Sequence, residues 1–388
     1  MLRVAPKNFV EAPPAPRARI ASLDGLRGFN YVWILGADGM MWALDQMLSD
    51  KGPVASGIGH FFGSQLTHVA WEGFRFYDLI FPLFIFITGV AITLSLPRLV
   101  ARDGRLKAHL RVLRRALLLY GLGLICDGGI SAQWTDVRLV GVPQRIAACY
   151  LVASLLFLNL NLRSLLVACA ALLVGYWALM TFVPVPGIGA GSFAPDANLA
   201  NWIDAHYLPG RLWDGTSDPE GLLSTLPSIG TCLLGVFAGL LLKNERLTPQ
   251  HKSLWLIGIG IALAATGYLW GLQFPVIKAI WTSSFVLMAG GYSFLLLGVW
   301  YQIIDVWNFQ SWSTIFVWIG TNAIMLYVLN DVLGFEPFAL RFVGGDFGLV
   351  LDRFVTPGTG SFVAYVLGLA FAIALAGFLY RRKIFLRV

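Results

Sequence analysis

Charge is scarce in this chain. Of 388 residues only 13% are Asp, Glu, Lys or Arg, while 57% are hydrophobic; soluble domains run at roughly 25% and roughly 45–50%. A chain so composed cannot cover a water-facing surface, which excludes an ordinary soluble fold and implies an integral membrane protein. Cysteine is scarcer still: Cys126, Cys149, Cys169 and Cys232 all fall inside or at the edge of apolar runs, with no Cys-x-x-Cys pair. A disulfide framework and a zinc site are therefore not expected, and no metal is. No repeat of fixed period and no low-complexity tract occurs. The net charge of +7 raises the question of nucleic acid, but the basic residues are not gathered on one face, and no nucleic-acid partner is expected.

What is present is a succession of apolar runs. They lie at about residues 29–47, 77–96, 116–130, 143–160, 165–185, 222–242, 254–272, 282–306, 315–333 and 361–380. At roughly 20 residues per crossing the expected fold is all-α, a polytopic integral membrane helical bundle of about ten transmembrane helices. One transmembrane domain, 22–388, follows a cytoplasmic arm, 1–21, that has no apolar stretch of signal-peptide type. Residues 98–115 hold seven Lys/Arg against one acid, and 20 of the 28 Lys/Arg fall on one side if the N-terminus starts inside. The positive-inside rule thus puts both termini in the cytoplasm and the acidic loops 186–220 and 334–360 on the far side. Membrane lipids are the surrounding partner, and homo-oligomerisation is left open.

Residues 67–95 organise the rest. His68, Glu72, Arg75 and Asp78 fall within eleven residues, just before a long apolar helix. Ionisable groups at a membrane boundary are costly, and histidine exchanges a proton near neutral pH, so this is the expected reaction centre. His68 could also be a loop residue satisfied by water. Glu72, four positions on, would orient the imidazole if the segment is helical. The first apolar run is interrupted by Gly36, Asp38, Gly39 and Asp45, so it is expected to line the interior. Asp38, at its far end, is then near His68, to orient the ring or to bind a substrate.

Other polar signatures allow two readings each. Ser22 or Asp24 could cap the first helix, or Arg19, Ser22, Asp24 and Arg27 could form an anion site at its start. Gln144 and Arg145 open the run at 143–160, where an arginine needs a partner or water. Asp218 and Glu220 precede the run at 222–242 as caps or as holders of a substrate amine or hydroxyl. Asn322 offers an intramembrane amide, for a helix–helix hydrogen bond or a ligand.

Four blocks carry a family resemblance. They are Arg19-x-x-Ser22-Leu23-Asp24-x-x-Arg27-Gly28, His68-x-x-Trp71-x-Gly73-x-x-x-x-Asp78-Leu79-x-Phe81-Pro82-x-Phe84-x-Phe86-x-x-Gly89, Gly141-Val142-x-Gln144-Arg145 and Asp218-Pro219-Glu220-Gly221. In register and in order, they resemble the heparan-α-glucosaminide N-acetyltransferase family and its bacterial relatives. The resemblance implies an acetyltransferase that moves an acetyl group from cytoplasmic acetyl-CoA to an aminosugar or related glycan acceptor across a bacterial inner membrane. It makes His68 the catalytic residue, as base or as acetyl carrier, with Asp38 beside it. Arg19, Ser22, Asp24, Arg27, Gln144 and Arg145 are then expected at the donor. Glu72, Arg75, Asp78, Asp218, Glu220 and Asn322 are expected at the acceptor. Compared with the lysosomal member, the large luminal N-terminal domain is expected to be absent, and Ala37-Asp38-Gly39 stands where that enzyme has an asparagine. N- versus O-acetylation stays open. The rival reading is a proton-coupled transporter of a small polar solute, which glycine-broken spans with buried acids would also suit.

Overall fold

The computed structural model describes residues 20–129 and 133–386. The arm 1–21 and Arg19 thus fall almost wholly, and wholly, outside the described residues. Helices make up the fold, and no strand forms among the described residues. Seven helices are long and apolar enough to cross a membrane: Phe76–Asp103, Val142–Asn159, Leu162–Phe182, Thr225–Lys243, Pro249–Gly271, Ser283–Val306 and Thr359–Arg381. An eighth crossing is possible as a bent pair, Ser311–Thr321 with Ala323–Val332, whose axes differ by 64°.

All ten expected runs are helical, but two of them do not meet that standard, each for a visible reason. The helix Arg105–Cys126 still carries Arg111, Arg114 and Arg115 in its last 18 residues. The run at 29–47 is broken: Ala21–Val32 passes through a wide turn, Trp33–Ala37, into Asp38–Leu48, and Gly36 sits at φ +122° within it. That backbone conformation costs a side-chain-bearing residue dearly and glycine little. The expected loops also contain helices. Pro53–Gln65, Leu199–Tyr207, Phe335–Val343 and Asp346–Phe354 are short or polar enough to lack the signal of a membrane span.

The chain forms two compact units, one of Phe81–Gly298 and the other of Ile20–Ile80 with Val299–Arg387. In the first, Thr225–Lys243 is the core helix, packed by Val142–Asn159 and Leu162–Phe182. A Cβ on Gly89 would collide with the Cys232 carbonyl, and one on Gly235 with the Phe86 carbonyl. In lipid, where apolar tails give helices no reason to associate, this backbone-to-backbone approach lets dispersion do the work. Cys149, Cys169 and Cys232 are buried in this unit as free thiols.

In the second unit Ala21–Val32 lies along Thr314–Thr321. The pair meets through Gly28 and Gly320, each facing the other helix's backbone with no room for a Cβ. Phe29 sits 5.3 Å from the Trp300 ring and 5.8 Å from the Phe316 ring, and such pairs add about 0.5–1.5 kcal/mol each beyond burial. Thr359–Arg381 packs on Asp38–Leu48 and Phe335–Val343, with Gly39 directly under the Tyr365 ring.

Candidate active site

Residues 67–75 are not helical. This single fact redistributes the roles expected of the reaction centre, because the i, i+4 relation that would join His68 to Glu72 does not exist. Glu72 is instead exposed in the loop. The orienting carboxylate is Asp78, which is 0% exposed. Its Oδ1 lies 2.8 Å from His68 Nδ1. Its Oδ2 accepts from the Arg75 backbone N–H at 3.0 Å and from that of Val69 at 3.5 Å. Asp78 stands in the first turn of Phe76–Asp103, where the helix dipole favours an anion.

Arg75 braces the loop. Its guanidinium donates to Thr67 Oγ1 at 2.8 Å and to the His68 carbonyl at 3.4 Å, while Gln65 Oε1 accepts from the Phe76 N–H at 3.2 Å. The His68 side chain is 51% exposed on this scaffold. With Nδ1 donating to a buried carboxylate, Nε2 becomes the nitrogen that can take a proton.

Asp38 does not orient the imidazole directly. Its Oδ2 accepts from Tyr77 Oη at 2.7 Å and its Oδ1 from the Gly39 N–H at 2.7 Å. The Tyr77 ring lies 4.7 Å from the His68 ring, so Asp38 is one residue removed from the histidine. Asp38 also lines an open pocket of about 370 Å³, walled by 34–36, Asp38, 330–337 and Tyr365. Asp331, Glu336, Asn330 and Tyr365 in that wall were not among the expected site residues. Of these, only Glu336 falls in the acidic 334–360 loop; nothing in the sequence pointed toward the other three.

The arginine block at the start of the first helix has a different explanation from either expected reading. Asp305, not Ser22 or Asp24, takes the helix start: its carboxylate accepts from the Ala21 N–H at 3.3 Å and the Ser22 N–H at 3.1 Å. An intrachain anion thus takes the N–H groups that a phosphate would have used. Ser22 and Asp24 are buried. Arg27 bonds Asp24 at 3.5 Å and the Gly320 carbonyl at 3.4 Å, leaving the guanidinium partly exposed. Asn322 sits at the break of the bent pair, 3% exposed, and neither end of its amide has a partner among the described residues.

The first unit holds the other four expected residues, and Gln144 and Arg145 stand there with Asp218 and Glu220. The organiser is Arg138, which sequence reasoning missed because a lone arginine in a short loop carries no motif. Arg138 grips Asp218 with two parallel bonds of 2.9 and 2.8 Å, Glu220 at 2.7 Å and Asp127 at 3.3 Å. Its guanidinium lies 4.7 Å from the centroid of the Trp213 ring. Gln144 completes the set by donating to Asp127 at 2.7 Å.

Arg145 is 2% exposed, donates to the Gly221 carbonyl and Ser224 Oγ, and stacks on Trp281 at 5.0 Å. Asp204 accepts from the Leu222 N–H at 2.9 Å. Burial pushes its carboxyl up to about 6 and also raises that of Glu220, against the pull of Arg145 and Arg138. The acids expected to hold substrate are thus engaged in closing the 204–224 loop onto an arginine.

A family model described as "Heparan-alpha-glucosaminide N-acetyltransferase, catalytic" matches residues 19–268, which include all four motif blocks. The chain belongs to this family. Heparan-alpha-glucosaminide N-acetyltransferase of Homo sapiens is 28% identical over 382 residues, and that of Mus musculus 27% identical over 387. Each match takes in 83% of this chain but 55% and 56% of the relatives, so the chain spans about half the length of the curated relatives it matches. Within the family match lie the His68–Asp78 pair and the Arg138 cluster. The cavity's second wall, 330–337 with Tyr365, lies beyond it.

Proposed function

We propose that this chain is a transmembrane acetyltransferase that moves the acetyl group of acetyl-CoA, taken from the cytoplasmic side, to an aminosugar or related glycan acceptor on the far side. The observation that carries this reading is the 2.8 Å contact between His68 Nδ1 and a fully buried Asp78. Family membership supports the reaction class, and the positive-inside bias supports cytoplasmic termini and the proposed sidedness; the membrane proposed is a bacterial inner membrane.

The chemistry follows from the dyad. An ammonium cannot attack a thioester, so the acceptor must lose a proton. His68 Nε2 takes it, and the imidazolium that forms is stabilised by Asp78. The acceptor nitrogen, or oxygen, then attacks the acetyl carbonyl. The new bond to carbon forms as the C–S bond breaks; CoA leaves as a thiolate that takes the proton back from the His68 imidazolium, and an acylated nitrogen sheds its remaining extra proton to water. Arg75, held by Thr67 and the His68 carbonyl, sets the loop rather than meeting substrate. Arg27 is the basic group of the first helix with guanidinium surface to offer the donor's phosphates, with Arg19 as its expected partner. The orphaned Asn322 amide is a further group a polar ligand would satisfy.

The bent pair with a buried amide at its break favours one other reading, a proton-coupled carrier, since discontinuous helices line carrier sites. The test that separates them is thiol release from acetyl-CoA by purified protein on adding glucosamine. Acetyltransfer requires acceptor-dependent thiol and N- or O-acetyl product, both strongly reduced by His68→Asn; solute uptake into vesicles without thiol release would establish the carrier.

A further inference from the structure

We infer that Tyr77, anchored by Asp38, is a positioning residue for the base: it packs on the face of the His68 ring while Asp78 holds the ring's edge. This deepens the reading of His68 as general base and rests on it. A hydrogen bond at Nδ1 alone leaves an imidazole free to swing about that bond, and a side chain that is 51% exposed has little else to stop it.

Tyr77 and Asp78 are consecutive in the first turn of Phe76–Asp103, where one residue turns the side chain by about 100°. Two neighbours in sequence therefore meet the imidazole from two directions. Asp78 Oδ1 lies 2.8 Å from Nδ1. The Tyr77 ring centroid lies 4.7 Å from that of the imidazole, with the two planes at 41°. This face contact limits rotation, and an electron-rich face so placed favours the imidazolium that forms when Nε2 takes a proton.

Tyr77 is fixed in turn from another helix. Its Oη donates to Asp38 Oδ2 at 2.7 Å, and Asp38 Oδ1 accepts from the Gly39 N–H at 2.7 Å, so both carboxylate oxygens are engaged. One turn further along, Trp42 Nε1 donates to the Leu66 carbonyl at 3.1 Å. Asp38 and Trp42 are four residues apart and share a face of Asp38–Leu48. Their two bonds land on Leu66 and Tyr77, on either side of the non-helical segment 67–75 that carries His68. The helix that follows the Gly36 break is thus a clamp on both ends of the base's loop. Tyr77 gives its hydroxyl hydrogen to Asp38 and stays out of the proton transfer; it acts through His68.

The experiment measures thiol release from acetyl-CoA by the full chain in detergent, with glucosamine as acceptor, and separates kcat from the two KM values. Tyr77→Phe keeps the ring and loses its anchor. It is expected to lower kcat about three- to tenfold, the range of one hydrogen bond, with both KM values and the unfolding temperature little changed. Tyr77→Leu also removes the aromatic face and is expected to cost more, about ten- to a hundredfold. Asp38→Ala is expected to match Tyr77→Phe, and the double variant to lose no more than either alone, because the same bond is broken in all three. Asp38→Asn keeps an oxygen that can accept from Oη and is expected to recover most of the rate.

An unchanged kcat in both Tyr77→Phe and Asp38→Ala overturns the positioning role and leaves the acetyltransferase reading standing. Additive losses in the double variant do the same. So does a fall in kcat accompanied by raised KM for both substrates and a lower unfolding temperature, which marks a general structural role. Wild-type protein that releases no thiol on adding glucosamine, or a fully active His68→Asn, overturns the underlying reading and this inference with it.

Discussion

His68 and Asp78 are ten residues apart in sequence and 2.8 Å apart in space, joined through Nδ1 and Oδ1. The pairing depends on a loop that reverses between them, and three backbone or side-chain contacts from Arg75 hold that reversal. The result places a half-exposed base on a buried acid, which fixes the ring's tautomer as well as its direction.

Removing either member should separate base from orienter. His68→Asn is expected to lower kcat by about 10²–10⁴-fold, the usual worth of general base catalysis, while the affinity for CoA changes little. Asp78→Asn keeps the volume but favours the wrong tautomer, and is expected to cost nearly as much in kcat. Its pH–rate profile should lose the limb that reports the imidazole. Rate measurements across pH with both variants check this, and an unchanged profile in Asp78→Asn would remove the carboxylate from the mechanism.

Arg138 is the variant expected to fail by unfolding. Its removal leaves Asp218, which is 3% exposed, and Glu220 buried without the cation that hydrogen-bonds them, and breaking a buried pair costs about 3–5 kcal/mol. Arg138→Ala should therefore show a markedly lower unfolding temperature in detergent. Arg138→Lys should rescue little, since an ammonium cannot make the two parallel bonds to Asp218. A stable Arg138→Ala protein with normal activity would show that the cluster is dispensable.

Asp204 gives a pH dependence of defined sign. Its carboxyl titrates near 6 in the folded chain, against 3.8 for an ordinary aspartate, chiefly because it is buried. The folded state therefore holds this proton more tightly than the unfolded state does. Its contribution to stability is largest below about 4, falls as pH rises through about 4 to 6, and stays flat above. Unfolding temperature should decline over that window in the wild type by more than in Asp204→Asn, which has no proton to lose. An identical slope in both would place the dependence elsewhere.

Donor binding is expected to reside in Arg27. Arg27→Ala should raise KM for acetyl-CoA more than KM for the acceptor, by about tenfold if one charged contact to phosphate is lost. Equal effects on both substrates would mean that its role is structural, through contacts such as those to Asp24 and Gly320.

How much of this was legible in the sequence depends on the range of the interaction. Membrane class and helical content follow from composition, because lipid leaves helices and closed barrels as the spanning structures. The place of His68 and Asp78 just before an apolar run was legible, but not their pairing. That pairing rests on a non-helical loop, and a helix template pointed to Glu72 instead. Asp305 and Arg138 were illegible for a different reason: each acts on residues 80 or more positions away, and no local pattern marks the partner. The bent pair read as one span because hydropathy registers no angle. The cavity wall at 330–337 was illegible because a pocket is a property of packing.

Whether the acetyl group ever rests on the protein is decided by exposure. The His68 side chain is 51% open to its surroundings, and an acetyl-imidazole formed there would meet water before an acceptor. A covalent relay gains only when its intermediate outlives the wait for the second substrate, so transfer is expected to be direct, with donor and acceptor bound together. Protein mixed with acetyl-labelled CoA alone should retain no label after denaturation, and should neither hydrolyse acetyl-CoA nor exchange free CoA into it. Initial rates should give intersecting rather than parallel double-reciprocal lines. Label trapped on wild type but absent from His68→Asn, together with parallel lines, would establish the acetyl-histidine route and overturn direct transfer.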